Sequence, residues 1–368
     1  MIYAKFILLG LVLGFSPSFG QEASTKNIII VTLDGFRWKE LFEGADKSLM
    51  FKQRYVTDTT VVPLFWRQEA DQRKEALMPF LWNNVAIKGQ LYGNRNFKNK
   101  VNCTNYHLIS YPGYSEMLVG YRDSKVSSNR KIENPNATVL EFIQQHPDFK
   151  DQVAAFATWD AFPYILRAKK SGIYVNAGTG MASGNISRKE QLLNDYQKES
   201  LVRSDSLTFQ YAFEYLKRER PRVTFIGFDG TDHHAHGGRY DDYLKAAHSI
   251  DAMLGQLWDW VQSQLDYRDQ TTLFITTDHG RGNGANNWRR HRLLAFGSRH
   301  IWFAVMGPET PAFGEMRLKS KTYQNQVAKT IAAFLGITYE NKGKVGEVVQ
   351  TMLAVPKAFD GRTSNNGR

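Results

Sequence analysis

The chain has 368 residues, 42% of them hydrophobic and 13% aromatic, which excludes a disordered or fibrous protein and allows one large α/β domain. The formal net charge of +11 favours anionic partners. The Lys and Arg residues are scattered without a nucleic-acid-binding motif, so specific nucleic-acid binding is not expected. The single cysteine, Cys103, excludes an internal disulfide and is predicted to be a small core residue.

The first 20 residues have the pattern of a secretory signal peptide. Lys5 precedes an apolar run over residues 6–15, and small residues, Ser18 and Gly20, follow it. The run is shorter than the roughly 20 apolar residues that span a bilayer. We therefore predict cleavage after Gly20, export to the periplasm or beyond, and a mature protein without a membrane span. A buried N-terminal helix is the alternative.

Apolar runs alternate with helical patterns along the rest of the chain. Five runs predict buried strands, over residues 27–33, 153–158, 223–228, 272–277 and 301–306. Apolar residues at spacings of three and four predict helices over residues 138–145, 207–218, 241–265 and 323–335. This alternation predicts an α/β fold with a mostly parallel central sheet and helices on both faces.

The predicted domain covers residues 21–356. Residues 43–100, which are polar and aromatic, predict an insertion or cap after the first strand, with a helix over residues 78–87. A polar tail, residues 357–368, is expected to be frayed.

Acidic residues and a histidine follow the predicted strands. Asp34, Asp232, Asp278 and His279 lie at or just after strand ends, where ligands bind in open α/β sheets. Carboxylate oxygen and imidazole nitrogen are both zinc ligands. The sequence therefore predicts a metal site at this edge of the sheet, although residues 276–280 alone also fit a turn with an Asp cap.

Two Asp-His pairs with a spacing of four compete for a second ion. They are Asp229 with His233 and Asp232 with His236, and either pair suits a turn or a helix start. A solvated His-rich loop is the alternative. His291 is a third candidate, although a lone histidine is more often structural.

Taken together, the motifs resemble the alkaline phosphatase superfamily, nearest to its nucleotide pyrophosphatase/phosphodiesterase branch. The matching blocks, in family order, are residues 32–37 (TLDGFR), 110–112 (SYP), 232–236 (DHHAH), 276–280 (TTDHG), and His291 ahead of Gly307-Pro308. Their order over most of the chain makes the resemblance specific.

The resemblance implies a hydrolase of small phosphorylated substrates with two divalent metal ions, for which Zn²⁺ is the prediction; the signal peptide predicts that it is secreted. The resemblance implies one ion held by Asp34, Ser110, Asp278 and His279, and another held by Asp232, His236 and His291. Ser110 would be the catalytic nucleophile, activated by the metal, and would form a covalent phosphoseryl intermediate.

Two choices rest on comparison with the family pattern. Asp232 and His236 are preferred as ligands because the Asp of the family lies a few residues beyond the apolar run, whereas Asp229 directly follows that run. Asp229 is instead expected to cap the following turn or to orient a ligand. Ser110 is preferred to Ser115 because an aromatic residue and a proline follow it. The alternative for Ser110 is a hydroxyl that caps a helix starting near Tyr114.

One position departs from the family pattern. Many relatives have an Asn three residues after the nucleophile that donates to the phosphoryl group, and here Gly113 stands there. The replacements considered are Arg37, Asn102, Asn105 and a backbone amide. Diester cleavage is the leading prediction. Phosphomonoester cleavage assisted by Arg281, Arg289 and Arg290 is the close alternative, and a non-catalytic, metal-stabilised binding protein is the third.

Overall fold

The computed structural model describes residues 25–353. The predicted signal peptide and the predicted polar tail lie outside this range. None of the helices in this range combines the length and the apolar character that a transmembrane segment needs. Cys103 is buried and unpaired, as the sequence predicts for a core residue.

The strands form two sheets within residues 25–353. They are β1 Asn27–Leu33, β2 Gln90–Tyr92, β3 Asn99–Asn102, β4 Val153–Ala157, β5 Tyr174–Ala177, β6 Val223–Phe228, β7 Thr271–Thr276, β8 His300–Ile301, β9 Phe303–Met306, β10 Gly314–Glu315 and β11 Ser320–Tyr323. The main sheet has eight strands in the order β10-β2-β9-β7-β1-β6-β4-β5, and the small sheet has three in the order β11-β3-β8. Strands β7, β1, β6, β4 and β5 are mutually parallel.

Helices cover both faces of the main sheet. They are α1 Trp38–Glu43, α2 Lys47–Met50, α3 Val61–Phe65, α4 Ala70–Leu77, α5 Ala86–Lys88, α6 Ser110–Val119, α7 Val139–Gln145, α8 Phe162–Ile165, α9 Ala168–Ser171, α10 Arg188–Glu199, α11 Asp205–Glu219, α12 Gly230–Gly237, α13 Tyr240–Ser263 and α14 Val327–Phe334. Residues 25–353 also contain a π-helix, Leu81–Val85, and four 3₁₀ turns, at Arg95–Phe97, Pro147–Phe149, Gln324–Gln326 and Gln350–Met352.

Strand β1 shows why two helical layers are needed. Every residue of β1 is buried, and its side chains alternate between the faces of the sheet. Ile29 and Val31 pack in the core that α11 and α13 cover, while Ile28 and Ile30 pack in the core that α6, α7 and α14 cover. The predicted fold class, a mostly parallel sheet between two helical layers, is confirmed.

The predicted strand over residues 301–306 is divided between the two sheets. His300–Ile301 belongs to the small sheet, and Phe303–Met306 runs antiparallel to β7 in the main sheet. Because β9 is antiparallel, its first residue lies at the edge where the parallel strands end. Residues that precede β9 therefore reach the same edge as residues that follow β1, β6 and β7.

Residues 43–100 contain helices α2 to α5, the π-helix and strand β2. Leu77, Met78 and Leu81 are buried in the core that also holds Ile29. Strand β2 pairs with β9 in the main sheet. The later part of this segment is thus built into the central sheet, while its earlier part, near residue 55, contacts the start of α13.

Candidate metal and nucleophile site

Three adjacent parallel strands position the acidic residues of the candidate site. The pairings Leu33 with Phe228 and Thr32 with Thr276 make the ends of β1, β6 and β7 level. Asp34 follows β1 directly, and Asp278 follows β7 after one residue. Because the carboxyl ends of adjacent parallel strands lie at one edge of a sheet, these side chains, which are distant in sequence, come together there.

The first group of candidate ligands is Asp34, Asp278 and His279, and all three side chains are buried. Nε2 of His279 lies 3.5 Å from Oδ1 of Asp34 and 3.5 Å from Oδ2 of Asp278. Neither of those two oxygens has a hydrogen-bond partner. Buried carboxylate oxygens without partners are costly, and a divalent cation among them would satisfy both.

The other oxygen of each carboxylate is fixed by a neighbour. Tyr114 donates to Oδ2 of Asp34 at 3.1 Å, and the backbone N–H of Gly35 donates to Oδ1 of Asp278 at 3.0 Å. Such contacts orient metal ligands and leave one oxygen of each carboxylate for the ion.

Without a cation, the first group is electrostatically unfavourable. Burial, followed by the charges of Asp278 and Asp232, raises the pKa of Asp34 well above its usual value. Burial raises the pKa of Asp278 to about 8 and lowers the pKa of His279 well below its usual value. A divalent ion would lower the pKa of both carboxylates. The lowered pKa of His279 keeps its imidazole neutral, which is the form that binds metals. The residues therefore fit the ion that the resemblance implies.

Ser110 lies beside the first group. Its Oγ is 3.4 Å from Nε2 of His279. Helix α6 begins at Ser110 itself, so the alternative of a helix that starts near Tyr114 is wrong, and Ser110 is not its cap. Ser115 instead accepts a hydrogen bond from Asn134 at 3.2 Å, inside the protein. The structure brings Ser110, and not Ser115, to the candidate ligands.

The second group of candidate ligands is Asp232, His236 and His291. Nε2 of His236 lies 3.2 Å from Oδ2 of Asp232 and 3.0 Å from Nε2 of His291. Asp232 and His236 face the same way because they are four residues apart on helix α12. This group is more exposed than the first, as suits a site that a substrate must reach.

Two histidines have their ring orientation set by backbone carbonyls. Nδ1 of His291 lies 2.8 Å from the carbonyl oxygen of Leu108, and Nδ1 of His279 lies 3.0 Å from that of Gly280. Donation from Nδ1 leaves the Nε2 lone pair free to bind a metal. Burial, with the nearby positive charge of Arg281, lowers the pKa of His291 to about 4, so its imidazole is neutral at neutral pH.

Arg281 is a buried partner of Asp232. Its guanidinium donates to Oδ1 of Asp232 and, at 2.7 Å, to the carbonyl oxygen of Arg289. Burial alone would raise the pKa of Asp232, but Arg281 holds that pKa well below its usual value. The prediction that Arg281 stabilises the extra charge of a monoester is therefore not supported, because Arg281 already neutralises a carboxylate.

The side chain of Asp229 lies near candidate ligands of both groups. Carboxylate oxygens of Asp34, Asp229 and Asp232 lie within 4.8 Å of one another. Asp229 occupies the N-cap position of α12, but its side chain makes no capping bond, so the capping role expected for it is wrong. His233 is exposed, and its ring contacts that of His234.

The side chains considered as replacements for the missing Asn are engaged elsewhere. Arg37 donates to Glu40 and to the carbonyl oxygen of Gly282, so its guanidinium is used within the protein. Asn102 accepts from Arg95, and Asn105 donates to Glu116.

A different amide, from Asn129, lies beside the nucleophile. Oδ1 of Asn129 accepts from the backbone N–H of Tyr111, next to Ser110, at 3.0 Å. Asn129 is exposed, and it lies in a loop without regular structure, so no sequence pattern pointed to it.

Gly113 is required because helix α6 packs against the backbone that carries Asp278. A Cβ at Gly113 would lie 2.5 Å from the carbonyl oxygen of Asp278 and 3.0 Å from its carbonyl carbon. Backbone atoms cannot move aside as a flexible side chain can. The family Asn therefore has no room in this chain.

We expect Gly113→Ala to destabilise the protein by about 1–3 kcal/mol, although alanine favours helices more than glycine does. Chemical denaturation measures the change. Gly284→Ala is the matched control, because a Cβ there meets no atom within 4 Å, and its expected effect is within about 0.5 kcal/mol. A Gly113→Ala protein as stable as the parent would contradict the close packing.

The fold is similar to those of several solved enzymes. A mutant of the alkaline phosphatase PafA superimposes with a TM-score of 0.61 at 10% identity, covering 91% of this chain and 100% of that chain. The phosphonate monoester hydrolase of Agrobacterium radiobacter gives 0.55 at 12% identity, covering 90% and 78%. The lipoteichoic acid synthase LtaP from Listeria monocytogenes gives 0.54 at 15% identity, covering 94% and 78%. At these identities the likeness concerns the fold.

The family model of type I phosphodiesterase / nucleotide pyrophosphatase matches residues 52–366, and the chain belongs to this family. It is therefore a phosphoric ester hydrolase, as the resemblance implied. Comparison with curated proteins gives no significant match. The matched span includes every predicted site residue except Asp34, which precedes it.

Proposed function

We propose that the protein is an exported, two-zinc phosphodiesterase that cleaves small phosphate diesters or nucleotides through a phosphoseryl intermediate. The observation that carries the proposal is the division of the site into two groups, Asp34, Asp278 and His279 beside Ser110, and Asp232, His236 and His291 beside them. Export rests on the N-terminal sequence pattern.

The metal ions, Ser110 and Asn129 have different roles in the proposed reaction. Zinc ions, when bound, would lower the pKa of the Ser110 hydroxyl and stabilise the charge on the attacking and leaving oxygens. Ser110 attacks phosphorus, so that the Oγ–P bond forms and the bond to the leaving alcohol breaks; water then cleaves the Oγ–P bond. We assign donation to a phosphoryl oxygen to the side-chain amide of Asn129, which the N–H of Tyr111 holds beside Ser110.

Diester cleavage is favoured over monoester cleavage. A monoester carries one more negative charge than a diester and needs an additional cation at the phosphoryl group. Arg281, one of the three arginines that the monoester alternative needs, is buried and bound to Asp232, so it is not free to supply that charge. What argues against the non-catalytic alternative is a hydroxyl beside the ligands, since Oγ of Ser110 lies 3.4 Å from Nε2 of His279.

Hydrolysis of bis-p-nitrophenyl phosphate and p-nitrophenyl phosphate tests the proposal. We expect the purified protein to prefer the diester, to lose its activity on dialysis against a chelator, and to regain it with Zn²⁺. Metal analysis should give about two ions per chain, as expected for a two-metal site. A preference for the monoester would favour the phosphatase alternative. Full activity after complete removal of metal would exclude the two-metal mechanism.

A further inference from the structure

The loop that carries His291 also presents three exposed apolar side chains. This loop, residues 289–299, contains no helix or strand. The exposed fractions are 62% for Leu293, 97% for Leu294 and 77% for Phe296. Large apolar side chains that are exposed singly are ordinary, whereas a cluster of them on one surface marks a site of contact with a protein or a membrane. The 289–299 loop is therefore a candidate docking surface.

The backbone of the 289–299 loop is folded into turns. The N–H of Ala295 donates to the carbonyl oxygen of Arg292 at 3.0 Å, and the N–H of Ser298 donates to that of Ala295 at 3.0 Å. The carbonyl oxygen of Phe296 accepts from the N–H of Asn283 at 2.9 Å. Ala295 and Ser298 are buried, so they attach the loop to the protein. The apolar side chains are thus exposed by a structured loop and not by a frayed segment.

The charge around these apolar side chains is positive. Residues 279–308 contain neither Asp nor Glu. Among residues 25–353, the only arginine of this segment that forms an ion pair with a carboxylate is Arg281, which pairs with Asp232. The other arginines of the segment all lie in the loop, and they are Arg289, Arg290, Arg292 and Arg299. The apolar cluster is therefore flanked by uncompensated positive charge.

An exposed tyrosine adjoins the base of the loop. Arg299 donates to the carbonyl oxygen of Cys103 at 3.2 Å, and its guanidinium lies 5.9 Å from the centre of the Tyr106 ring. The guanidinium of Arg122 lies over the same ring at 4.5 Å. Tyrosine is enriched at membrane–water interfaces because its ring is apolar and its hydroxyl is polar. Tyr106 and Arg122 therefore extend the same combination of apolar surface and positive charge.

We propose that the 289–299 loop docks the protein on a membrane that contains anionic phospholipid. Leu293, Leu294 and Phe296 enter the headgroup region, and the arginines bind the lipid phosphates. A protein partner must offer a pocket for a protruding side chain such as Leu294, whereas a bilayer accepts it at any point of its surface. The surrounding positive charge is complementary to anionic headgroups. Since His291 belongs to the same loop, docking brings the second ligand group to the membrane surface, whichever reaction the site performs.

Cosedimentation with lipid vesicles tests the docking surface. We expect the purified protein to bind vesicles made of equal parts of phosphatidylcholine and phosphatidylglycerol at least about tenfold more tightly than vesicles of phosphatidylcholine alone, because several arginines contribute. Leu294→Ser should weaken binding to the anionic vesicles about tenfold, since a large apolar side chain no longer leaves water. Arg292→Gln should weaken that binding about fivefold at low salt and less at high salt.

Leu265→Ser and Arg268→Gln are the matched controls. Leu265 is 75% exposed, and Arg268 is also exposed. Both precede β7, so they lie at the opposite edge of the sheet from the candidate site. Neither substitution should change vesicle binding. All four variants should keep the Tm of the parent protein, because each changes an exposed side chain.

Three results would overturn the proposal. The first is a parent protein that does not bind the anionic vesicles, or a Leu294→Ser protein that binds them as tightly as the parent does. The second is equal binding to the two kinds of vesicle, which would exclude recognition by the arginines. The third is a dimer, found by sedimentation velocity without lipid, that Leu294→Ser dissociates while neither protein binds vesicles. The loop would then be a contact between two copies of this chain.

Discussion

Ser110→Ala should lower kcat for the preferred phosphate ester by at least about 10³-fold, because the loss of a nucleophile removes the covalent route. The substitution removes one oxygen at the start of α6 and leaves Asp34, Asp278 and His279 in place. We therefore expect metal analysis to give a content close to that of the parent protein. Intact-mass spectrometry of the acid-quenched enzyme should find an adduct of the phosphoryl group with its remaining ester in the parent and none in the variant.

Ser115→Ala is the matched control on the same helix. The Ser115 hydroxyl accepts from Asn134, inside the core and away from the ligand groups, so its loss should reduce stability without a comparable loss of kcat. If Ser115→Ala abolished turnover and Ser110→Ala did not, the choice of Ser110 as nucleophile would be wrong.

The positions of most site residues could be predicted from the sequence because one rule governs them. Buried parallel strands end at a common edge, so Asp34, Asp278 and His279 had to approach one another once β1 and β7 were adjacent. A spacing of four brings Asp232 and His236 to one face of a helix, but Asp229 and His233 have the same spacing, and the resemblance chose between the two pairs. The prediction that Asp34, Asp278 and His279 share one edge of the sheet needed only local periodicity, whereas their assignment to one ion came from the resemblance.

His291 could be placed only by the resemblance. It lies in the loop that precedes β9, and it reaches the ligands because β9 runs antiparallel to β7. Strand direction depends on tertiary pairing, which the apolar pattern of residues 301–306 does not contain. The hydrogen-bond partners of the site residues could not be predicted for the same reason. The pairing of Arg281 with Asp232 is an example.

The start of α6 illustrates a second limit of prediction from sequence patterns. Its N-cap residue is Ile109, whose side chain cannot accept a hydrogen bond, so the usual capping signal is missing. Packing of Gly113 against the backbone of Asp278 fixes the first turn of the helix instead. Strand β2 was missed because three residues, Gln90–Tyr92, are too few to show a period.

His236→Ala should lower the metal content from about two ions per chain toward one, as expected for loss of a ligand from one of two metal sites. The second group would keep only Asp232 and His291, too few donors to hold an ion tightly. The first group shares no ligand with His236 and should keep its ion. Metal analysis after gel filtration measures the change, and kcat for bis-p-nitrophenyl phosphate should fall with it.

His233→Ala is the control, since His233 is also an exposed histidine on α12, three residues earlier, and belongs to neither ligand group. Asp232→Ala should lose the same ion, but it also leaves the buried Arg281 without its carboxylate, so destabilisation would accompany it. Asp229→Ala should keep both ions because both groups remain complete. Loss of an ion in Asp229→Ala and His233→Ala, with two ions retained in His236→Ala, would assign the second site to the other Asp-His pair.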